Sequence, residues 1–464
     1  MKSRRLALLV AIALGGGGFL SSAQSVSAAT EEQSASMQEV AAADVTGNNV
    51  TIDDTQAPSN NAKHPGGGAA FGTAAGFIKD EHDNGNVKDN TLTFKNLSYD
   101  KQLYGGLTFG TGNVTGNKVV VNQATSPHQS ISDGIFGGSA NGGGNVEYNH
   151  ATFNGNHLNG DLVGGMATDG GTGTVKKNTA TLKGGNVHGS IYGGTTGNQA
   201  NGDVLENEVL IEGGSVTGTG NVYGGYTDEN SNVKGNIVTI KGGVLNGIYG
   251  GYSSGTGEVS GNTVNLGDGT SAMAAGYAIN GTIYGGRNDS HPDKVSNNTL
   301  NVNANAVAYN IKNVETINFN FNAHMNTSNP LLKLTDSNRT KIKNLDQLHM
   351  NREWLGSGTL IENANGIDIE SYTSKLGRTG EKTETIIDKD GTTKISYKGY
   401  RFKGARAPQT EGTDIWGGRS VLGNTTTDNE ITLSGNHTGK KAYGGWTSGT
   451  GSTATGENAQ NHSI

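Results

Sequence analysis

Tyrosine recurs in this chain at places that would line its rings up. Tyr192, Tyr223, Tyr249 and Tyr284 each open a Tyr-Gly-Gly triplet, as do Tyr104 and Tyr443, while Phe136, Val163 and Trp416 hold the same place in variant copies. Arranged along one face, Tyr192, Tyr223, Tyr249 and Tyr284 form a candidate ligand-binding stripe, because an aromatic ring offers a flat apolar face and a polar hydroxyl to a carbohydrate or a protein. The same column serves structure if the rings pack on one another and cover glycine corners. Carboxylates are the other groups with chemical potential. Asp53 and Asp54, and the nearby pair Asp289 and Asp293, are modest clusters at expected turns, where Asp is common for backbone reasons. The 11 histidines are scattered without metal-ligand spacing. Gly66, Gly67 and Gly68 lack the Lys-Ser/Thr and the strand–helix context of a nucleotide loop. No catalytic residue, metal site or cofactor is predicted.

Asparagine keeps the same rhythm. Asn178, Asn207, Asn236 and Asn262 each begin an Asn-x-apolar-x-apolar element, which is also found at Asn48, Asn90, Asn117, Asn149, Asn298 and Asn429. From Asn90 to Asn298 the successive gaps are 27, 32, 29, 29, 29, 26 and 36 residues. Self-similarity at a fixed period signals a repeat architecture. The stretch from Glu206 to Gly251 holds the unit nearly twice, with Asn207-Glu-Val-Leu-Ile returning as Asn236-Ile-Val-Thr-Ile. Inside each element the period is two, so Asn236, Val238 and Ile240 share one face of a strand. The pairs Gly213-Gly214 and Gly242-Gly243 then supply corners, since glycine adopts positive φ without a Cβ penalty. The next run is expected to place Val244, Asn246 and Ile248 on one face. Each unit would thus hold two or three strands of about five residues.

These elements predict an all-β chain: a parallel β-helix (β-solenoid) of about 29-residue repeats with an irregular β segment. Stacked laps would place Val209 on Val238, Ile211 on Ile240 and Asn207 on Asn236. Asn178, Asn207, Asn236 and Asn262 would then form a structural ladder of amides hydrogen-bonded along the axis. Composition agrees, with Gly at 76 of 464 residues, Pro at only 6 and a hydrophobic fraction of 32%, thin for a globular core. A net charge of −7 gives no basic footprint, so no nucleic-acid partner is predicted. Cysteine is absent, which excludes a disulfide framework.

Residues 1–28 read as a signal peptide. Lys2, Arg4 and Arg5 precede an apolar run from Leu6 to Leu14, and Val26-Ser27-Ala28 fits a cleavage site between Ala28 and Ala29. Residues 29–44 form a loose N-terminal segment and 45–304 the solenoid repeats. Residues 305–413 are an irregular β segment, in which Thr385–Ile387 and Lys394–Tyr397 flank an Asp390-Gly391 hairpin turn. Residues 414–464 resume the repeat and stop in mid-unit, as a fragment of a longer protein would.

The leader, the lack of Cys and the Gly/Asn/Thr-rich repeats, with Ile191-Tyr-Gly-Gly194, Ile248-Tyr-Gly-Gly251 and Ile283-Tyr-Gly-Gly286, together resemble the passenger region of autotransporters. Asn313-Val-Glu-Thr-Ile-Asn-Phe319 is similar to a segment that follows such repeats. The resemblance implies a secreted or surface-displayed passenger, acting as an adhesin or a stalk. It implies a cell-surface, outer-membrane-associated or extracellular location and a host surface glycan or matrix protein as partner. Membrane attachment would run only through a C-terminal β-barrel, which this sequence lacks. A β-helical extracellular polysaccharide lyase or hydrolase is the alternative.

Overall fold

A computed structural model describes residues 24–27, 44–53, 73–78, 81–96, 98–99, 101–122, 129–197, 199–350, 357–370 and 378–379. It also describes 383–401, 409–411, 414–420, 425–426, 441–447, 453–454 and 461–463. The described residues are nearly all strand and loop, interrupted by two short 3-10 turns at Pro292–Lys294 and Leu345–Gln347. The chain divides into two compact units. The first comprises 1–268, 273–300 and 311–315, and the second the remainder.

The first unit is a parallel solenoid. One lap contains the strands Val204–Leu205, Glu208–Ile211, Ser215–Val216 and Val222–Thr227. The next lap repeats them as Val233–Lys234, Ile237–Ile240, Val244–Leu245 and Ile248–Ser253. Val209 pairs with Val238 and Ile211 with Ile240, as the repeat predicts. The pattern inside the lap differs from expectation in two ways. There are four strands rather than two or three, two of them only two residues long. Val244 does not share a face with Ile248: Val244 is 38% exposed, while Leu245 and Ile248 are fully buried. The corner at Asn246-Gly247 shifts the alternation by one residue, and a one-residue shift turns every following side chain to the other face.

The short strand at the head of each lap follows a Val-x-x-Asn motif that the repeat reading overlooks. Val45, Val87, Val114, Val146, Val175, Val204, Val233, Val259 and Val295 begin nine strands that stack into one sheet. Val87 through Val259 of this column are fully buried. Removing each from water contributes on the order of 1.5–3 kcal/mol. Between that valine and the asparagine the chain turns sharply. The residue before each ladder asparagine has positive φ, whether glycine (Gly116 at 69°, Gly235 at 66°) or not (Tyr148 at 57°, Lys177 at 55°, Glu206 at 53°). Gly214 and Gly243, with φ of 81° and 92°, make the later corner.

The Gly-Gly of each Tyr-Gly-Gly has a different purpose, which is close approach. A Cβ on Gly194 would lie 2.5 Å from the Asn207 side chain, and one on Gly193 would lie 2.5 Å from the Gly224 carbonyl of the next lap. The second glycine makes room for the asparagine column, and the first lets the laps stack.

The strand Gln24–Ser27 pairs in parallel with Asn49–Asp53 and falls within the predicted leader. The predicted cleavage pair, Ala28 and Ala29, lies outside the described residues, as do Asp54 and Gly66, Gly67 and Gly68.

In the second unit, Thr316–Phe319 pairs in parallel with Leu348–Met350, and Thr340–Ile342 with Ile367–Ile369. The predicted hairpin is present and longer than its sequence signal. Thr383–Asp390 runs antiparallel to Lys394–Arg401 around a turn with Gly391 at φ 67°. Lys394–Arg401 in turn pairs antiparallel with Ser357–Asn363. Farther on, the backbone of Trp416 registers with that of Tyr443 in a parallel pair.

Candidate binding face

The four tyrosines of the predicted stripe fall at one register position in successive laps: Tyr192 pairs with Tyr223, Tyr223 with Tyr249, and Tyr249 with Tyr284. Each follows a core residue (Ile191, Val222, Ile248 and Ile283) and so points to the outer face, where Tyr192, Tyr223 and Tyr284 are partly exposed and Tyr249 is covered by its neighbours. Their rings form a continuous stack. Centroids are 5.1 Å apart for Tyr192–Tyr223, 4.8 Å for Tyr223–Tyr249 and 4.9 Å for Tyr249–Tyr284, with planes within 15° of parallel. Tyr104 and Phe136 make the same contact at 5.0 Å, and Val163 separates the two stacks in register. The rings also cover corners: a Cβ on Gly247 would lie 3.0 Å from the Tyr249 ring.

This geometry decides what the stripe offers to a partner. Both faces of Tyr223 and Tyr249 are taken by neighbouring rings, so the outside sees ring edges and hydroxyls. An aromatic edge carries partial positive charge. The surface therefore suits oxygen-rich groups rather than a sugar laid flat on a ring.

A second aromatic column, not anticipated from the triplets, stands beside the first. Tyr226 and Tyr252 stack at 5.2 Å with planes 8° apart, and each meets the first column edge-on, Tyr223–Tyr226 at 5.1 Å and Tyr249–Tyr252 at 5.8 Å. The signal was present in Tyr223-Gly-Gly-Tyr226 and Tyr249-Gly-Gly-Tyr252, which carry a second outward residue three positions on. Arg287 continues this column in the next lap, with its guanidinium over Tyr284 at 5.1 Å, Tyr252 at 5.9 Å and Tyr249 at 6.0 Å. Asp289 holds Arg287 through two bonds of 2.6 and 3.2 Å and accepts the Tyr252 hydroxyl at 2.9 Å. Asp289 is thus a partner in this cluster. Burial pushes the Tyr223 phenol up to about 12. Burial also raises Tyr192, Tyr226, Tyr249 and Tyr252, with Arg287 opposing the rise at Tyr249 and the Asp289 carboxylate adding to it at Tyr252.

The asparagine ladder is the scaffold under this face. Asn178, Asn207, Asn236 and Asn262 are fully buried. In each lap, Nδ2 and the backbone N–H donate to Oδ1 of the next asparagine, at 2.9 and 3.0 Å for Asn178 to Asn207 and 3.0 and 2.9 Å for Asn207 to Asn236. The second Nδ2 proton goes to a carbonyl at the head of the preceding lap, such as Val175 for Asn207 at 3.0 Å. The column runs through Asn90, Asn117, Asn149 and Asn298 as well. It ends on a carboxylate, with Asn298 donating to Glu315 from its backbone at 2.7 Å and from Nδ2 at 3.2 Å. A carboxylate accepts but cannot donate onward, so Glu315 closes the ladder.

An outer ladder of Asx side chains parallels it. Asn86, Asn113, Asn145, Asp203 and Asn232 each accept from the backbone one lap on, at 2.9–3.0 Å. Near its end lies an open polar groove of about 430 Å³ lined by Asn232, Thr256, Glu258, Asp293, Lys294 and Ser296. Glu258 is paired with Lys234 there at 2.6 Å. Among the described residues, no group of three or more His, Asp or Glu is placed to hold a metal ion, and no helix is long and apolar enough to cross a membrane.

Compared with protein-family models, curated proteins and solved structures, the chain matches none. By its fold it is a parallel β-solenoid with a lap of about 29 residues, built on a buried asparagine ladder.

Proposed function

We propose that the chain is the exported, surface-displayed passenger of an autotransporter-like protein, acting as a stalk that carries an adhesive face. The uninterrupted hydrogen-bonded ladder from Asn90 to Glu315 is the observation that carries this reading. It makes each lap depend on the next, as a stiff presenting element requires. The edges and hydroxyls of Tyr192, Tyr223, Tyr249 and Tyr284 supply the adhesive surface, with a host surface glycan or matrix protein as partner. Weak contacts repeated from lap to lap would add by avidity. The leader and the Cys-free composition support export.

The test is expression of the whole chain with its own leader in a Gram-negative host. The expected result is a mature N-terminus at Ala29 and, for the purified mature chain, saturable binding on a glycan and matrix-protein panel. That binding should fall when Tyr192, Tyr223 and Tyr249 are changed to Ala with the β circular-dichroism signal intact. Retention of an unprocessed chain in the cytoplasm would overturn export. Binding that survives the three changes would overturn the aromatic face.

The groove around Glu258, Asp293 and Lys294 favours a second reading, a polysaccharide-degrading β-helix, since it sets two carboxylates beside a basic residue. Release of unsaturated uronates from pectin or alginate, lost in Asp293→Asn, would establish it. A well-folded chain inert on both would dismiss it.

A further inference from the structure

Tyr226 and Tyr252 combine three properties, of which the last sets them apart from the neighbouring column. They are half-exposed, they stack directly on one another in adjacent laps, and one of them donates its hydroxyl proton to a carboxylate. We propose that Tyr252, with Asp289 as its proton acceptor, is an oxidation site, and that its radical couples with Tyr226 to form a dityrosine bond stapling two laps of the solenoid. The co-reactant is hydrogen peroxide acting through a one-electron peroxidase.

The chemistry follows from the contacts. A phenol held protonated by partial burial and a neighbouring carboxylate loses its proton most readily together with the electron, to an acceptor already at the hydroxyl. At Tyr252 the acceptor is in place, with Asp289 Oδ2 at 2.9 Å. The Arg287 guanidinium 5.9 Å from the Tyr252 ring disfavours a cationic radical and so favours the neutral phenoxyl left by proton loss. The other hydroxyls are arranged differently. Tyr249 accepts from Arg287 Nη1 at 3.4 Å and Tyr223 from Asn221 Nδ2 at 3.4 Å, and neither contact can take a proton from the phenol. A second one-electron oxidation at the partly exposed Tyr226, whose proton goes to solvent, leaves a phenoxyl on each tyrosine. The two then form a bond between ring carbons ortho to the oxygens, and the two ring hydrogens move to those oxygens as protons, restoring two phenols and aromaticity. In total two tyrosines lose two electrons and two protons, and one hydrogen peroxide takes them up to become two waters. The rings are 5.2 Å apart and partly exposed, so they can pivot about Cβ–Cγ to bring ortho carbons together. In a chain without cysteine, this supplies a covalent tie between laps that no disulfide can provide.

The experiment treats the dilute full-length chain with a peroxidase and hydrogen peroxide. It follows dityrosine fluorescence, the intact mass and the tryptic map. The expected product is a monomer lighter by two hydrogens, with peptide 184–234 joined to peptide 242–287 through Tyr226 and Tyr252. Tyr226→Phe and Tyr252→Phe, which keep the ring packing, should each abolish the intrachain link. Asp289→Asn should slow it by about a hundredfold, the low end of what a positioned proton acceptor contributes. Undiminished intrachain linkage in Tyr252→Phe, linkage only between chains, or none at all would overturn the staple. An unchanged rate in Asp289→Asn, with the stacked fold intact, would overturn Asp289 as the acceptor.

Discussion

Replacing Asn207 by Ala removes one rung from the middle of the ladder, and its cost can be worked from the bonds lost. The Oδ1 of Asn207 accepts the backbone N–H and Nδ2 of Asn178, and its Nδ2 donates to Asn236 Oδ1 and to the Val175 carbonyl. Asn236 Oδ1 keeps the backbone N–H of residue 207 at 2.9 Å, so it is not stranded. The two Asn178 donors lose their partner in a fully buried place, and the Val175 carbonyl loses its side-chain donor while its strand pairing remains. An orphaned buried polar group costs about 1–3 kcal/mol, so with some local relaxation the whole change should cost about 3–6 kcal/mol. Asn207→Asp is the sharper variant. It preserves the acceptor for Asn178 but turns a buried carboxylate toward the oxygens of Asn236 and Val175. Its loss should equal or exceed that of Ala. Denaturant unfolding of the full chain, followed by circular dichroism, measures both against Thr181→Ala on the outer face, which should stay within about 0.5 kcal/mol. Amide exchange at Asn178 should accelerate in Asn207→Ala, which removes its acceptor, and much less in Asn207→Asp, which keeps one. A loss below about 1 kcal/mol for Asn207→Ala would refute the reasoning, because the buried donors would then have found other partners.

Three further outcomes follow from the same geometry. Gly194→Ala drives a Cβ to 2.5 Å from the Asn207 side chain and should cost about 1–3 kcal/mol or more, while Gly197→Ala, with nothing within 4 Å, should be close to neutral in the same unfolding assay. Glu315→Ala strands the two donors of Asn298 and should cost about 2 kcal/mol, with Glu315→Gln retaining most of that because its carbonyl oxygen still accepts; equal losses in both would show that the charge rather than the acceptor matters. Tyrosine ionisation should report alkaline unfolding: the fold holds the Tyr223 proton up to about 12, whereas the unfolded chain releases it near 10. The stability from this proton is therefore complete below pH 10 and is lost as the pH climbs through 12. Absorbance at the phenolate band and β circular dichroism should change together in that window. Complete tyrosine ionisation near pH 10 with the fold intact would contradict the stacked burial.

Much of the fold was legible because a solenoid repeats its instructions. The spacing of Asn178, Asn207, Asn236 and Asn262 predicted a ladder, and parallel stacking made it one. Less legible was anything depending on where a corner falls. Val244, Asn246 and Ile248 read as one alternating face, yet the Asn246-Gly247 corner sends Val244 outward and Leu245 inward, and period-two counting cannot see a phase change within a loop. The Val-x-x-Asn motif was visible in every lap, but two-residue strands are too short to show a periodicity of their own.

For the binding face the division is similar. The sequence by itself determined that Tyr192, Tyr223, Tyr249 and Tyr284 share a column, since each opens the same Tyr-Gly-Gly triplet after an apolar residue in its repeat, although the gaps of 31, 26 and 35 residues differ. Only the tertiary structure decided what that column presents. Lap separation brings the rings within about 5 Å of each other, so the faces are spent on stacking and the edges remain. Tertiary structure likewise decided that Arg287 and Asp289 join the tyrosines. Arg287 takes the register place of Tyr252 one lap on, and a partner 37 residues away from Asp289 becomes a hydrogen-bonded neighbour only when the laps close.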